Sequence, residues 1–553
     1  MTEELQPLLS PIPQLPDLTE HDNVSKPVKD VKFIIFALFT GSYLAALDTT
    51  IVTTLLPTIA SELDASNQMS WIVTSYLLSC SAFQPLYGKL SDVFGRKAIL
   101  LWSNLCFGFG CVLCGAPFTN SLKMLCLGRF IAGVGGGGLN TLSTITTSDI
   151  IPLRQRGVYQ GMGNIVFALG CASGSLIGAF LQQRIGWRWA FLCQAPLSLV
   201  SCFLIITFLN LPEDSPGRGL IHLSKTKITF KDIKKHVDYT GSFTLISTML
   251  LLMTILSLLD KPSQLSPTTW ALFMVGLVFS GYAFVTAELG NDNPMVPLRL
   301  LGSNRTVLAS SLTNWFSTMS IFAITYYVPV FWQTVYHLKP WEIGVRTISN
   351  FIAIASGSML TGIYMKRTGK YKAYSNTLNS VAVIGTLIVF SSTFNSEMKG
   401  VLEYVMLFLP GLGYAAMLTI TLLSLIASVD AKHQAQVTSI QYAFRAIGST
   451  LGVSFAGLIY QTKLQSSLLH TVVESEALNE LYSSHQLRKW SQTILENNSY
   501  DVSFDPLLQS LVKCCFQKSS QLVLGFAVIT CVLGLVSGLF IREHVLHTDI
   551  QRN

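Results

Sequence analysis

Residues 88–97 read GKLSDVFGRK, four charged side chains and two glycines set between apolar blocks that begin near Met69 and Ala98. Each block runs for about 20 residues, enough for a helix to cross roughly 30 Å of hydrocarbon. A glycine in such a polar bridge lets the chain reverse where a side chain would clash. The ten residues therefore read as a tight turn at Gly95 between two spans, with Asp92 near one helix end and Arg96 and Lys97 just past the turn.

Outward from that turn the pattern repeats. Fourteen spans are expected, beginning near Phe33, Met69, Ala98, Lys123, Gln160, Trp189, Tyr239, Thr269, Thr306, Ile343, Thr377, Leu402, Val437 and Gln521. Half of the 553 residues are hydrophobic and 12% are charged, against about 25% charged in an ordinary soluble domain. Mean hydropathy is +0.48. The composition excludes a soluble fold and predicts an all-α integral membrane protein. The expected organisation is a tail at 1–32, six spans over 33–211, a basic linker at 212–237 and two spans over 238–290. Six more follow over 300–541, enclosing a loop at 461–520, and a tail at 542–553 closes the chain.

A net charge of +7 would suit a nucleic-acid binder, but its distribution points elsewhere. Connections of one parity hold Lys89, Arg96 and Lys97, then Arg154 and Arg156, then six basic residues in 212–237, then Lys366, Arg367, Lys370 and Lys372. With the tails, that face holds 23 of the 37 basic residues, against 6 in the short loops of the other face. The positive-inside rule makes the richer face cytosolic, and an even number of spans puts both termini there. The loop 461–520 holds five more, and long loops obey the rule poorly. The charge is thus a topology signal, and the expected partners are a lipid bilayer and a small solute, with no nucleic acid.

Residues 1–32 are polar, contain proline and have no apolar core, so they are expected to be a disordered cytosolic tail and not a cleaved signal. Glu4, Leu8 and Leu9 within ELQPLL have the form of an acidic dileucine signal for a sorting adaptor, set against an ordinary tail that signals nothing. Asn497 heads the one sequon on the non-cytosolic face; those at Asn23 and Asn304 should stay unmodified. Most of the 11 cysteines lie within spans and serve as small apolar residues. Cys111 and Cys114 have a CxxC spacing but lack the second pair that a zinc site needs. Cys514 and Cys515 fall in the long loop, where both a disulfide and free thiols are open.

Several function classes drop out. The sequence has no GxxxxGK[ST] phosphate loop, and its largest soluble segment is too short for a nucleotide-binding domain. Gly133, Gly135 and Gly138 match GxGxxG but sit in a hydrophobic span with no strand before them, so they read as close-packing glycines. HExxH and GxSxG are absent and no histidine falls mid-span, so catalysis is not expected. Energy would come from a proton gradient, with no cofactor.

An ionisable side chain at bilayer depth costs at least about 2.5–3.5 kcal/mol and marks function by default. Of the 30 carboxylates only Asp48 lies well inside a span, 15 residues past Phe33 and so roughly 22 Å from the cytosolic edge. Arg129 enters from the other face and reaches a similar depth, which allows an ion pair. Asp48 is then a proton-coupling or substrate-cation site, or a structural partner for Arg129. Arg445 is the other deep cation, suited to a substrate carboxylate or to a structural pair. Arg346, at a helix end, should snorkel to the interface. Tyr76, Asn140, Asn164, Gln194, Asn314, Trp315, Tyr326, Asn350, Gln441 and Tyr442 are candidate cavity lining, each equally suited to bonding between helices. Gly170, Gly174 and Gly178, and again Gly448 and Gly452, recur every four residues, as hinges or close crossings do.

GKLSDVFGRK resembles the major facilitator signature between the second and third spans. By that resemblance Gly88, Asp92, Gly95, Arg96 and Lys97 form a cytosolic gate, with Asp149 in its charge network. GIYMKRTGKYK at 362–372 is a degenerate copy, with Gly369 in the place of Gly95 and Lys366 in that of Asp92. Such an internal repeat is expected of two six-helix halves; without the carboxylate the second gate should be the weaker. LDTTIVTTLLPTIA (47–60) is similar to the first-span motif of fourteen-span proton antiporters, and LGRFIAGVGGGG carries the fourth-span Arg129. The fifth span departs from the antiporter motif GxxxGPxxGG, with Ser175 for the proline and Ala179 for the last glycine, which points away from drug export.

WIVTSYLLSCSAFQPLYGKLSD, GGGGLNTLSTITTSDI, RGVYQGMGNIVFALG and YAFRAIGSTLG most resemble fungal vacuolar basic amino acid transporters. The resemblance implies a 6+2+6 major facilitator fold and proton-coupled antiport of lysine, histidine and arginine from cytosol into the vacuole by alternating access. Asp48 would exchange a proton for the substrate cation, Arg129 would tune it, and Arg445 would take the α-carboxylate. The alternatives are a plasma-membrane multidrug or siderophore antiporter on the same fold and, from another class, a transport-inactive nutrient receptor or scaffold.

Overall fold

With no water in hydrocarbon, backbone N–H and C=O groups must pair within their own segment, which favours helices. The computed structural model describes residues 31–63, 70–119, 121–211, 216–219, 238–258, 266–291, 298–338, 340–394, 400–430, 433–473, 478, 482–497 and 506–546, mostly as helices. The dileucine signal at Glu4, Leu8 and Leu9 and most of the basic linker lie outside the described residues.

A first bundle is built from α1 (Val31–Glu62), α2 (Ser70–Phe94), α3 (Arg96–Gly115), α4 (Leu122–Ile150), α5 (Leu153–Ile185), the short α6 (Trp187–Leu192) and α7 (Gln194–Phe208). Two helices, α8 (Tyr239–Leu258) and α9 (Pro267–Gly290), and the short α10 (Leu298–Ser303) lead to a second bundle. It comprises α11 (Arg305–Val335), α12 (Pro340–Thr368), α13 (Lys372–Ser392), the short α14 (Leu402–Val405), α15 (Phe408–Ala427), α16 (Gln434–Leu468) and α18 (Pro506–Leu539), with α17 (Ser484–Asn497) beside its far end.

The two bundles repeat one packing scheme. In the first, α1 packs on α5, α4 on α2 and α3, and α7 on α3. In the second, α11 packs on α16, α15 on α12 and α13, and α18 on α13. Both glycine series are close crossings, since small residues let helix backbones meet. A Cβ at Gly170 would come 2.8 Å from Tyr43 O of α1, and one at Gly448 would come 2.7 Å from Trp315 O of α11. Gly133 and Gly135 press α4 onto α2 and α3 in the same way.

The halves meet through α5 with α12 and through α2 with α16. At the end of the molecule that carries the Gly95 turn, the halves touch backbone to backbone. There a Cβ on Gly157 of α5 would sit 3.0 Å from the Cα of Gly362 of α12. Nearby, Arg154 donates to the carbonyls of Lys366 and Arg367 at 2.8 and 3.0 Å, and Arg156 donates to Gln434 Oε1 at 3.1 Å. Helix α8 packs on α2 and α16, whereas α9 touches α8 and α10 and buries only Ser280 and Glu288.

Among the described residues twelve helices are long and apolar enough to cross a membrane. Two of the fourteen expected spans are not among those twelve: α2, which carries Lys89 and Asp92 in its last turns, and α8, whose apolar part, Tyr239–Ile255, is shorter. Three expectations need correction. The loop expected at 461–520 is shorter, because α16 continues to Leu468 and α18 begins at Pro506, both projecting past their apolar cores. Cys514 and Cys515 accordingly lie in α18, and all eleven cysteines are free thiols. Arg346 does not snorkel; it is 7% exposed and faces Glu403 at 3.5 Å, beneath the Tyr404 ring. Asn304 caps α11 and donates to Ser428 O at 2.9 Å, while Asn497 ends α17.

Candidate functional site

The turn at Gly95 has φ +91°, a conformation open to glycine at little cost. A Cβ there would also meet Arg218 O at 2.5 Å, because the short turn Pro216–Arg218 packs directly over it. Arg96, 2% exposed, binds Asp149 Oδ2 at 2.8 Å and Asp92 Oδ1 at 2.7 Å and donates to Ser91. It ties the ends of α2, α3 and α4 together. Gly88 packs against Ala435 and Ser439 of α16, so the same turn seals the first half onto the second. Lys97 stands apart from that network, donating to Ile206 O at 2.7 Å and Asn210 Oδ1 at 3.3 Å at the end of α7, where carbonyls lack helical partners.

At the corresponding turn of the second half, Gly369 has φ +69° and nothing stands within 4 Å of its Cβ position. The acid missing from this copy comes from elsewhere in the chain. Glu543, past the end of α18, accepts from the Tyr371 and Lys372 backbone N–H groups at 2.6 and 3.4 Å. The Tyr371 hydroxyl donates to Arg542 O and accepts from His544 N, each at 2.9 Å. Burial pushes the Tyr371 phenol well above its ordinary value, so it stays protonated as this donor.

Between the halves lies a cavity of about 680 Å³, within the roughly 300–1,000 Å³ of small-molecule sites. Its lining runs from Thr147 and Tyr159, near the turn end, to Trp71 and Leu258 at the other ends of their helices. Of the residues expected to line it, Tyr76, Asn140, Asn164, Tyr326 and Tyr442 do so. Gln194, Asn314, Trp315, Asn350 and Gln441 do not, because they face neighbouring helices. Gln194 donates to Ala190 O at 2.9 Å, Asn314 to Gln441 O at 3.1 Å and Gln441 to Thr421 at 2.9 Å. Trp315 meets the edge of Phe444 in α16, and Asn350 is buried beside Gly411 of α15. The sequence analysis did not single out Trp71, Gln84 and Thr144. Two bonds cross the cavity floor: Thr144 to Tyr442 at 2.6 Å, and Asn164 to Ser358 at 2.6 Å.

Arg445 is the one charged side chain among the described lining residues. Its guanidinium lies 5.7 Å from the Tyr442 ring centre, and no carboxylate pairs with it among the described residues. Asp48 and Arg129 meet as their matched depths allow, Nη1 to Oδ2 at 2.7 Å, with exposures of 0% and 1%. Neither lines the cavity. Arg129 also donates to Ile72 O at 3.3 Å and lies 4.4 Å from the centre of the Tyr76 ring. Asp48 Oδ1 has no hydrogen-bond partner among the described residues. The site therefore combines a solute-sized chamber, holding one cation without a carboxylate partner among the described residues, with a sealed ion pair behind its wall.

A model of the Major Facilitator Superfamily matches residues 38–453. The chain is 33% identical over 524 residues to Multidrug resistance protein fnx1 of Schizosaccharomyces pombe, covering 94% of each. It is 32% identical over 494 residues to Vacuolar basic amino acid transporter 1 of Saccharomyces cerevisiae, covering 84% of each. Among solved structures, the proton:xylose symporter XylE superposes with a TM-score of 0.58 at 14% identity, over 93% of this chain and 97% of that one, which is a likeness of fold.

Proposed function

Since this chain belongs to the major facilitator superfamily, we propose that it is a fourteen-span, proton-coupled antiporter that carries basic amino acids into an acidic vacuole by alternating access. The observation that carries this reading is the unpaired Arg445 in the central cavity, beside a buried Asp48–Arg129 pair that the cavity does not reach. A guanidinium without a carboxylate partner, in a chamber otherwise lined by uncharged side chains, is suited to a carboxylate, which every amino acid supplies. Asp48 is the carboxylate whose protonation would pair proton movement out of the vacuole with solute movement into it, and Arg129 the group that sets when it protonates.

In this reading the turn end faces the cytosol with both termini, and the contacts that close it leave the chamber directed to the vacuolar lumen. Asp92, Arg96 and Asp149 then hold the cytosolic gate shut, and Gly88, Gly95 and Lys97 shape its frame. The dileucine residues Glu4, Leu8 and Leu9 would be read by a sorting adaptor, and Asn497 would carry the glycan of the luminal side. The name of the Saccharomyces cerevisiae relative supports the substrate class. That of the Schizosaccharomyces pombe relative favours a second reading, a multidrug exporter of the plasma membrane.

One experiment separates the two. Isolated vacuoles from a strain lacking this chain should show at least about a tenfold loss of proton-gradient-driven lysine, histidine and arginine uptake, restored by the intact gene. Uptake equal to wild type, together with drug sensitivity of whole cells, would transfer the assignment to the exporter.

A further inference from the structure

The two polar turns use their basic residues differently. At the first, Arg96 is buried between Asp92 and Asp149, and Lys97 donates to groups at the end of α7. The copy at 362–372 carries Lys366, Arg367, Lys370 and Lys372 and no acid. Lys366, Arg367 and Lys370 are exposed, and none of the four pairs with a carboxylate among the described residues. Two more cations belong to this turn: Arg154 of α5, which donates to the Lys366 and Arg367 carbonyls, and the exposed Arg542, whose carbonyl takes the Tyr371 hydroxyl. Glu543, the acid at this turn, accepts from the Tyr371 and Lys372 backbone N–H groups at the start of α13. Six basic residues thus gather here against one carboxylate that is held by backbone.

The neighbouring side chains mark the depth of the cluster. Tyr364 of α12 and Tyr374 of α13 stack with ring centres 4.2 Å apart, two residues before Lys366 and two after Lys372. Tyrosines collect at the headgroup level of a bilayer. Deeper along the same helices Leu360 and Ile384 are 55% and 54% exposed, as lipid-facing side chains are. The cluster therefore stands at the level of lipid phosphates, and nothing covers Gly369 at the tip of the turn within 4 Å of its Cβ position.

We propose that the second turn binds the phosphate headgroup of an anionic phospholipid and that the bound lipid bridges the two halves. Arg154 belongs to the first half, Lys366 and Arg367 to the second. The bonds from Arg154 to α12 use Nε and Nη2, which leaves the Nη1 protons for a headgroup. A phosphate shared with Lys366 or Lys370 then adds charge-assisted bonds on both sides of the joint where Gly157 meets Gly362. These partners are neighbours because that end is closed, so the lipid favours the closed arrangement. The anionic cytosolic leaflet draws basic clusters to its surface. Lys366, standing where the first turn has Asp92, serves this site, since a carboxylate there would repel the phosphate. No cavity residue takes part, so the inference holds whichever solute is carried.

The test titrates the detergent-purified full chain with a short-chain phosphatidylinositol monophosphate and reads binding by native mass spectrometry. Lys366→Gln with Lys370→Gln should weaken binding at least about tenfold, since each basic residue near lipid phosphates contributes severalfold. Lys366→Arg with Lys370→Arg should bind as wild type does. Arg488→Gln with Lys489→Gln removes the same charge from exposed positions of α17 at the far end, and should bind within about twofold of wild type. Equal weakening in the two charge-removing pairs, or none in the first, overturns the site. Phosphatidylcholine of the same chain length binding as tightly, or a soluble inositol phosphate displacing the lipid at equal concentration, overturns the anionic lipid as its occupant. A second readout tests the bridge. Backbone hydrogen exchange over residues 153–158 should slow at least about threefold when the lipid is added to wild type, and stay unchanged in Lys366→Gln with Lys370→Gln. Lipid that binds without slowing this exchange overturns the bridging of the halves.

Discussion

The turns at Gly95 and Gly369 have the same backbone sign and stand at equivalent places in the two halves, yet they are held in different ways. The first is packed: Arg96 takes Asp92 from four residues away and Asp149 from the end of α4, and Pro216–Arg218 lies over the glycine. The second is open above its glycine and takes its acid from the tail, Glu543. The same division holds deeper in the membrane. The first half neutralises its buried charge with Asp48–Arg129, while the second leaves Arg445 unpaired in the chamber. The two halves thus hold their deep charges differently: the first pairs Arg129 with Asp48, while the second pairs Arg346 with Glu403 and leaves Arg445 in the chamber without a carboxylate among the described residues.

That contrast can be broken at several points. The largest effect is expected at Asp48→Asn, which strips a buried cation of its partner, a change that costs about 3–5 kcal/mol. Gradient-driven uptake should fall by at least about a hundredfold, and the melting temperature of the detergent-purified protein should drop. Adding Arg129→Gln should recover the melting temperature but not the uptake; recovery of both would make the pair merely structural. Next in size, Gly95→Ala and Gly369→Ala form a matched pair. Both put a side chain at positive φ, at a cost of roughly 1–3 kcal/mol, but Gly95, at φ +91° and ψ 148°, lies in a region almost confined to glycine, and only Gly95→Ala also collides with the Arg218 carbonyl. Its melting temperature should fall clearly further than that of Gly369→Ala; equal losses would mean that the linker turn does not pack on the first gate in solution. The smallest effect belongs to Glu543→Gln, which weakens hydrogen bonds each worth about 0.5–1.5 kcal/mol at an exposed position. A faster hydrogen exchange at Tyr371 with unchanged uptake is the expected outcome.

Much of this architecture is legible in the sequence, because hydrocarbon demands long apolar helices and the polar turns between them are conspicuous. The depths of Asp48 and Arg129 follow from counting residues at a fixed rise, and their side chains do meet. Counting along a helix gives no angle around it, however. Asn314 and Asn350 sit at plausible depths yet face neighbouring helices, while Trp71 and Thr144 border the cavity unannounced. Partners far apart in sequence are equally hidden. Arg346 read as an interfacial cation because Glu403 lies in another helix, and the second gate read as acid-free because Glu543 comes from beyond α18.

The contact of Gly157 with Gly362 has one more consequence. Where two backbones touch with no side chain between them, parting and resealing require no search among rotamers and leave no methyl groups to interdigitate again. The joint between the halves behaves there as a plain bearing surface, whose wear is set by backbone rigidity and whose clearance is fixed by two hydrogen atoms. In the proposed alternating access, closing at that end is then a matter of rigid-body travel and not of local repacking.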